Sequence, residues 1–422
     1  MKKKINIIGH LGSSSGLGNT ARLFIAVLHS QGYELAGLDV DYHAGSDATA
    51  LPNIRMAKSV AELPFEVNLI IVAIQLLPSI WRRRLPGLLA PRFKNVGLIF
   101  WELPVIPSPW LPSLRMFDAI MVCSQYVRHT LETALPEIRT VFAEHPLQTQ
   151  NISLDGSDVR NTLGLKQTDL VYASSFDLRS DYTRKNPLAV LDAFEAAFPN
   201  ESDVRLVIKA NGKPDDGGSN PVAQQILKRV VADPRIVFIS ETMPYERVMK
   251  VYAACDVYLS LHRAEGLGLG PMEAMLLGKL VIATGYSGNM TYMTQQNSMP
   301  IPYGLTAPTH TSWQYQRAFS GKGAAWAEPD MHAAVAALRL AYEKPELRKR
   351  LAQAARMDIA RRQETAWSAS YQDELARCLS EEHHSKRRQH LRRHVAINEI
   401  LDPTLRKLNL KTLILKVSRK ST

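Results

Sequence analysis

Short apolar runs recur along the first 145 residues, interleaved with stretches of helical periodicity: INIIG before ARLFIAVLHSQG, then ELAGLDV, VNLIIVAI, VGLIFWE and AIMVCS. A strand that is apolar on every side chain needs cover on both faces, and a parallel sheet flanked by helices supplies it. The alternation restarts near Asp169 with DLVYASSF, NPLAVLDAFEAAF, VRLVIKANG, VAQQILKRVVA, RIVFIS and MKVYAACDVYLSLH. Between the two series the polar stretch QTQNISLDGSDVRNTLG places a linker at about 147–166. The chain is therefore expected to be α/β, with two doubly wound domains, 1–150 and 166–350, facing a cleft. A helical segment, 351–380, is expected to pack across them, and a basic amphipathic tail, 381–422, follows. Ligands of such folds bind beyond the carboxyl ends of the strands, so the loops after strands are the place to look for function.

Charge narrows the partners. The net charge is +11, yet residues 381–422 hold eleven basic and four acidic residues, which leaves the rest of the chain nearly neutral. A nearly neutral body does not offer a phosphate-tracking face, so nucleic acid is not an expected partner. In the tail, Leu405, Leu408, Leu410, Leu413, Ile414, Leu415 and Val417 lie among Lys and Arg, a pattern that suits an anionic membrane surface or a solvated terminal helix. No run of about 18 apolar residues exists to span a bilayer. MKKKINIIGHLG reaches Gly9, His10 and Gly12 too early for a signal peptide and reads as a first strand. Cys123, Cys255 and Cys378 lie far apart without metal-ligand spacing, which fits a reducing cytoplasm.

After that first strand, Gly9, Gly12, Gly16 and Gly18 precede a helix expected to begin near Asn19 or Thr20. Gly16, Leu17, Gly18 and His10 are candidates for a phosphate or acceptor loop, because glycines let the backbone approach a ligand while helix N–H groups point at it. The spacing departs from G-x-G-x-x-G, although Asp39 could imitate the ribose-binding acid of a nicotinamide enzyme.

The richest segment is HRAEGLGLGPMEAMLLGKLVIATGYSGNM, 262–290. Glu265 ends a strand, glycines occupy 266, 268 and 270, and Pro271 and Glu273 are expected in the first turn of a helix. Exposed N–H groups at such a turn make an anion site suited to a diphosphate. Carboxylates facing phosphates would repel them, so Glu265 and Glu273 more plausibly accept hydrogen bonds from hydroxyls on either side: one from a sugar, one from ribose. The nearby loop FDLRSDYTRKNPLAVLDAF supplies Arg179, Arg184 and Lys185, cations that can hold the charge of a departing diphosphate, with Lys209 a further candidate.

Glu265-x7-Glu273 resembles the signature of retaining GT-B glycosyltransferases, and the surrounding segment resembles the group 1, family 4-like subgroup of bacterial polysaccharide and cell-envelope assembly. The resemblance implies two Rossmann-like domains, with the nucleotide sugar on the C-terminal one and a glycan or lipid-linked acceptor on the N-terminal one. It implies that Glu265 contacts donor sugar hydroxyls, Glu273 the ribose, and the amides of Gly266, Leu267 and Gly268 the phosphates or sugar. Tyr286, Ser287, Gly288 and Asn289 would line the donor pocket, and Arg184 and Lys185 would hold the leaving group. Where relatives carry an acid two residues after that Asn, this chain has Thr291. No metal or other cofactor is implied: the D-x-D of Asp39-Val40-Asp41 lies far from the donor motif, and His262 three before Glu265 is incidental. Trp101 and Glu102 stand where many relatives place a histidine, and the role of Glu102 is open. The expected activity is transfer of a hexose, mannose among the candidates, with retention, in the cytoplasm or at the inner face of its membrane. Its competitors are a catalytically silent nucleotide-sugar scaffold and an NAD(P)-dependent oxidoreductase.

Overall fold

A computed structural model describes residues 3–41, 51, 54–147, 155–178, 181–212, 221–308 and 323–380. Arg179 and the basic tail lie outside the described residues.

The first sheet contains β1 (Lys4–Gly9), β2 (Glu34–Asp39), β3 (Arg55–Ala57), β4 (Val67–Ile71), β5 (Lys94–Leu98), β6 (Ala119–Val122) and β7 (Thr140–Phe142). Its order is β3-β2-β1-β4-β5-β6-β7 and each pairing is parallel. The second contains β8 (Leu170–Asp177), β9 (Val204–Asn211), β10 (Ile236–Ser240), β11 (Val257–Ser260), β12 (Leu280–Thr284) and β13 (Met299–Ile301), ordered β10-β9-β8-β11-β12-β13, again all parallel. The apolar runs are therefore buried strands, as in Val67–Ile71 and Leu280–Thr284, where every residue is buried. Strand order reverses between β1 and β4 in one sheet and between β8 and β11 in the other. A doubly wound sheet opens a crevice at such a switch point, and here β8 leads into Arg184 and Lys185 while β11 leads into Glu265.

Two helix starts differ from expectation. The first helix is Gly16–Ser30, beginning three or four residues earlier than expected, because Ser15 is its N-cap and accepts from Gly18 N. The helix of the second motif is Leu269–Leu276, capped at Gly268 with φ of +81°, so Glu273 falls in its second turn. A first-turn dipole role for Glu273 is thereby removed.

An antiparallel hairpin, β14 (Tyr303–Thr306) and β15 (Trp326–Pro329), follows the second sheet. Arg263 fastens it with Nε and Nη2 on Glu328 at 2.6 and 2.9 Å. Two helices, Pro345–Thr365 and Ala369–Ser380, then carry the chain back to the first domain, where the second of them packs on β6 and β7. Trp367, between them, is buried edge-on against Phe24 with ring centroids 6.0 Å apart. The Leu147 amide donates to Gln363 Oε1 at 2.7 Å, and Tyr33 OH donates to Gln372 Oε1 at 3.2 Å. Among the described residues no helix is long and apolar enough to cross a membrane.

Candidate functional site

The loops after β11 and β12 are zipped together. The Glu265 amide donates to Ser287 Oγ at 2.7 Å, and the Gly288 amide donates to the Glu265 carbonyl at 2.8 Å. They run so close that a Cβ on Gly288 would lie 2.2 Å from the Gly266 carbonyl oxygen. Asn289 is fully buried, its Nδ2 donating to the Thr284 carbonyl at 2.9 Å and its Oδ1 3.1 Å from His262 Nε2. His262 is held on its other nitrogen by Ser260 Oγ at 3.0 Å, and burial lowers its pKa. Both ring nitrogens thus brace the loop, and among the described residues no group of three or more His, Cys, Asp or Glu is arranged to hold a metal ion. Gly266, Leu267 and Gly268 lie directly beneath this brace, in the turn that leads into the Leu269–Leu276 helix.

The cations come from the loop after β8. Asp181 caps the short helix Tyr182–Lys185, and Asn186 ends it in the left-handed region, φ 52°, with Nδ2 donating to the Leu261 carbonyl at 2.9 Å. That turn aims two adjacent side chains at one carboxylate. Arg184 Nη1 donates to Glu265 Oε2 at 3.2 Å and to the Ala264 carbonyl at 2.7 Å, while Lys185 Nζ donates to Glu265 Oε1. All three are buried or nearly so. Burial by itself raises the Glu265 carboxyl, but Lys185 and then Arg184 outweigh it and bring it down to about 2. Burial likewise lowers the Lys185 ammonium, with Glu265 opposing.

Glu273 sits in the opposite electrostatic state. It is 4% exposed, burial pushes its carboxyl up to about 8, and the Tyr245 hydroxyl and Lys209 oppose that only weakly. Its Oε1 has no hydrogen-bond partner among the described residues. Lys209, buried near the end of β9, lies close enough to Glu273 for its charge to favour that carboxylate. A buried carboxyl with a spare acceptor and a carboxylate sharing two cations now flank the glycine turn.

The first domain closes the site. Arg184 Nη2 is 3.6 Å from Glu102 Oε1, in the loop after β5. Ser124 caps the helix Gln125–Ala134 and its Oγ donates to the Gly266 carbonyl at 2.7 Å, while the Gln125 amide donates to Thr291 Oγ1 at 3.0 Å. Thr291 therefore anchors a helix start of the other domain. Arg362 adds a further bridge, with Nη1 on Glu144 at 2.6 Å and Nη2 on the Thr291 carbonyl at 2.8 Å. Sequence reasoning missed Ser124, although a serine directly after the apolar run AIMVC is an N-cap signal.

The glycine loop of the first domain is organised by its own acids. Asp39 accepts from the Gly12 and Asp41 amides at 2.8 and 2.9 Å, so the residue that could imitate a ribose-binding acid holds the loop itself. Asp41 Oδ2 lies 2.6 Å from His10 Nδ1. A Cβ on Gly18 would sit 2.3 Å from the Ser13 carbonyl oxygen, so this glycine is needed for the close turn whatever else it does. Gly16 and Leu17 open the helix beside it, Leu17 resting on the core.

Residues 165–358 match the family model described as Glycosyl transferases group 1. That segment is similar to the group 1 glycosyl transferases. Comparison with curated proteins by sequence gave no match. Among solved structures, the sucrose-phosphate synthase of Thermosynechococcus elongatus is similar over 89% of this chain and 97% of its own, with TM-score 0.64 and 13% identity. HepE of Anabaena, solved with UDP and glucose, is similar over 89% and 99%, with TM-score 0.62 and 15% identity. A glycosyltransferase of Rickettsia africae covers 89% and 97%, with TM-score 0.58 and 14% identity. At these identities the likeness is one of fold, and with two facing parallel-sheet domains the fold is GT-B. The matched segment contains every candidate from Arg184 to Asn289, and the cleft it shares with the first domain brings Glu102 and Ser124 to that group.

Proposed function

We propose that this glycosyltransferase moves a hexose, mannose among the candidates, from a nucleotide diphosphate to a glycan or lipid-linked acceptor in polysaccharide assembly, with retention and without a metal. The observation that carries the reading is the convergence of Arg184, Lys185 and Glu265 against the Gly266–Gly268 turn. Two cations, Arg184 buried and Lys185 nearly so, beside a glycine turn at a helix start suit a diphosphate, and a carboxylate between them suits sugar hydroxyls. HepE, similar in fold, holds UDP and glucose, which supports a nucleoside diphosphate and a hexose as the donor's two parts.

In this reading the anomeric carbon–oxygen bond breaks with its electron pair passing to the departing diphosphate, whose growing charge Arg184 and Lys185 stabilise. The acceptor oxygen attacks from the same face, and its proton passes to the departing phosphate oxygen. Glu273 is assigned to the ribose hydroxyls. The glycine loop with His10, Gly16, Leu17 and Gly18 faces the acceptor side. For the basic segment 381–422 we propose contact with an anionic membrane surface, which would hold the enzyme at the inner face of the cytoplasmic membrane. Deleting 385–422 should then reduce binding to anionic vesicles and leave donor hydrolysis intact.

The deciding experiment is calorimetric titration with GDP, UDP, ADP and NAD, first in EDTA and then with magnesium. Micromolar binding of one nucleoside diphosphate in EDTA supports the reading, names the base and licenses an acceptor screen. Binding of nothing removes the nucleotide-sugar reading, and binding of NAD alone turns the chain towards an oxidoreductase.

A further inference from the structure

One wall of the cleft has no part in the donor chemistry above. Phe100, Trp101 and Glu102 follow β5, and Trp101 is locked there: its ring meets Trp110 edge-on at 5.1 Å and its Nε1 donates to the Val105 carbonyl at 2.8 Å. The Trp101 amide nitrogen lies 3.2 Å from where a Cβ on Gly266 would stand, so this rigid loop abuts the glycine turn. Glu102 is thereby held beside the Arg184 guanidinium with its side chain 18% exposed. Its backbone carbonyl accepts from Tyr126 OH at 3.3 Å, and that hydroxyl meets Tyr286 OH at 3.2 Å. The Tyr286 ring is in turn 5.0 Å from the ring of Tyr303, which is 40% exposed on the β14–β15 hairpin.

Resting on the proposed transfer, we infer that Glu102 and the row Tyr126, Tyr286 and Tyr303 form the acceptor subsite, and that the attacking hydroxyl belongs to a sugar ring. The row combines aromatic faces with hydroxyls, which matches a ring that has apolar C–H faces and hydroxyl edges. The carboxylate at its inner end accepts a hydrogen bond from a hydroxyl and repels a phosphate. A lipid phosphate would have to compete with the donor for the same two cations. Glu102 orients the acceptor hydroxyl and keeps no proton: the acceptor oxygen bonds to the anomeric carbon, the sugar–phosphate bond breaks, and the proton leaves with the phosphate. Tyr286 belongs to both sides of the cleft chemistry, since its carbonyl lies 3.4 Å from His262 Nε2 and the next residue braces Glu265.

The test is saturation-transfer NMR on the full chain with methyl α-mannoside, methyl α-glucoside and methyl α-galactoside, with the nucleoside diphosphate that calorimetry selects. At least one hexoside binds the wild-type protein. Tyr303→Ala and Glu102→Gln each raise its Kd at least tenfold more than they raise the nucleotide Kd, and Tyr303→Phe, which keeps the ring, restores binding to within about threefold. Tyr303 is exposed, so its variants test contact and not folding. Nucleotide binding without any hexoside binding overturns the subsite alone, as does a Tyr303→Ala protein that binds the hexoside as wild type does. Absence of nucleotide binding in the wild type overturns the donor reading on which the subsite rests.

Discussion

Lys185 donates its ammonium to Glu265, so the cation expected to hold the departing phosphate and the carboxylate expected to hold the sugar are bonded to each other. Arg184 completes the cluster from the second oxygen of Glu265. A diphosphate entering this site must take both cations away from a carboxylate, and the carboxylate is then released to meet the sugar's hydroxyls.

Glu265→Gln removes the competing charge. The variant should bind the free nucleoside diphosphate more tightly than wild type, by about tenfold, while its turnover with nucleotide sugar falls by about 10² or more. Calorimetry and a coupled nucleotide-release assay check the two arms, and weaker diphosphate binding would show that Glu265 does not compete for the cations.

Arg184→Ala and Lys185→Ala should each lower kcat by about 10² or more, the cost of losing one charge-stabilising donor. The Arg184 change also frees Glu102 and Glu265 from a shared guanidinium, so it should raise KM for both substrates, whereas Lys185→Ala should raise it for the donor alone.

The two glutamates give pH dependences of opposite sign. Glu265 titrates near 2 in the folded chain against an ordinary value of 4.5, so its stabilisation is complete above about pH 4.5 and is lost as pH falls towards 2. Glu273 titrates near 8, so the folded chain binds its proton more tightly than the unfolded one, and stability declines as pH rises from 4.5 to 8. Glu273→Gln should therefore raise Tm at pH 8 and weaken nucleotide binding. In the wild type, nucleotide binding at pH 7 should release up to about one proton as the ribose hydroxyls take up the carboxylate, a quantity read from binding enthalpies in buffers of different ionisation heat.

Gly288→Ala should destabilise the chain by about 1–3 kcal/mol and abolish donor binding, since the added methyl meets the Gly266 carbonyl at 2.2 Å. Urea unfolding and nucleotide titration check both effects, and an unaltered nucleotide Kd would mean that the two loops separate without consequence.

The fold class was legible because strands buried on both faces leave nearly unbroken apolar runs, and in Val67–Ile71 every residue is buried, the one polar side chain, Asn68, included. That Glu265 and Glu273 flank one glycine turn was legible because both lie within one turn and helix of each other. Helix starts were less so: Ser13, Ser14 and Ser15 all offer a capping hydroxyl, and only packing of Gly18 against the Ser13 carbonyl selects Ser15. The partnership of Arg184 with Glu102, and of Ser124 with Gly266, joins residues 82 and 142 positions apart, and no local periodicity carries such information. Thr291 was noted only as a departure from an acid, while its work is to receive the Gln125 amide.

The chain leaves the first domain after Leu147 and comes back to it through Ala366, Trp367 and Ser368, with Trp367 seated against Phe24. Two crossings hang the domains on each other as a door hangs on a pair of hinges, and the Gln363 contacts with Leu147 and His145 pin those hinges side by side. Such a joint resists sliding or twisting of one domain past the other. The placing of Glu102 beside Arg184, across the cleft, is thus inherited from the joint.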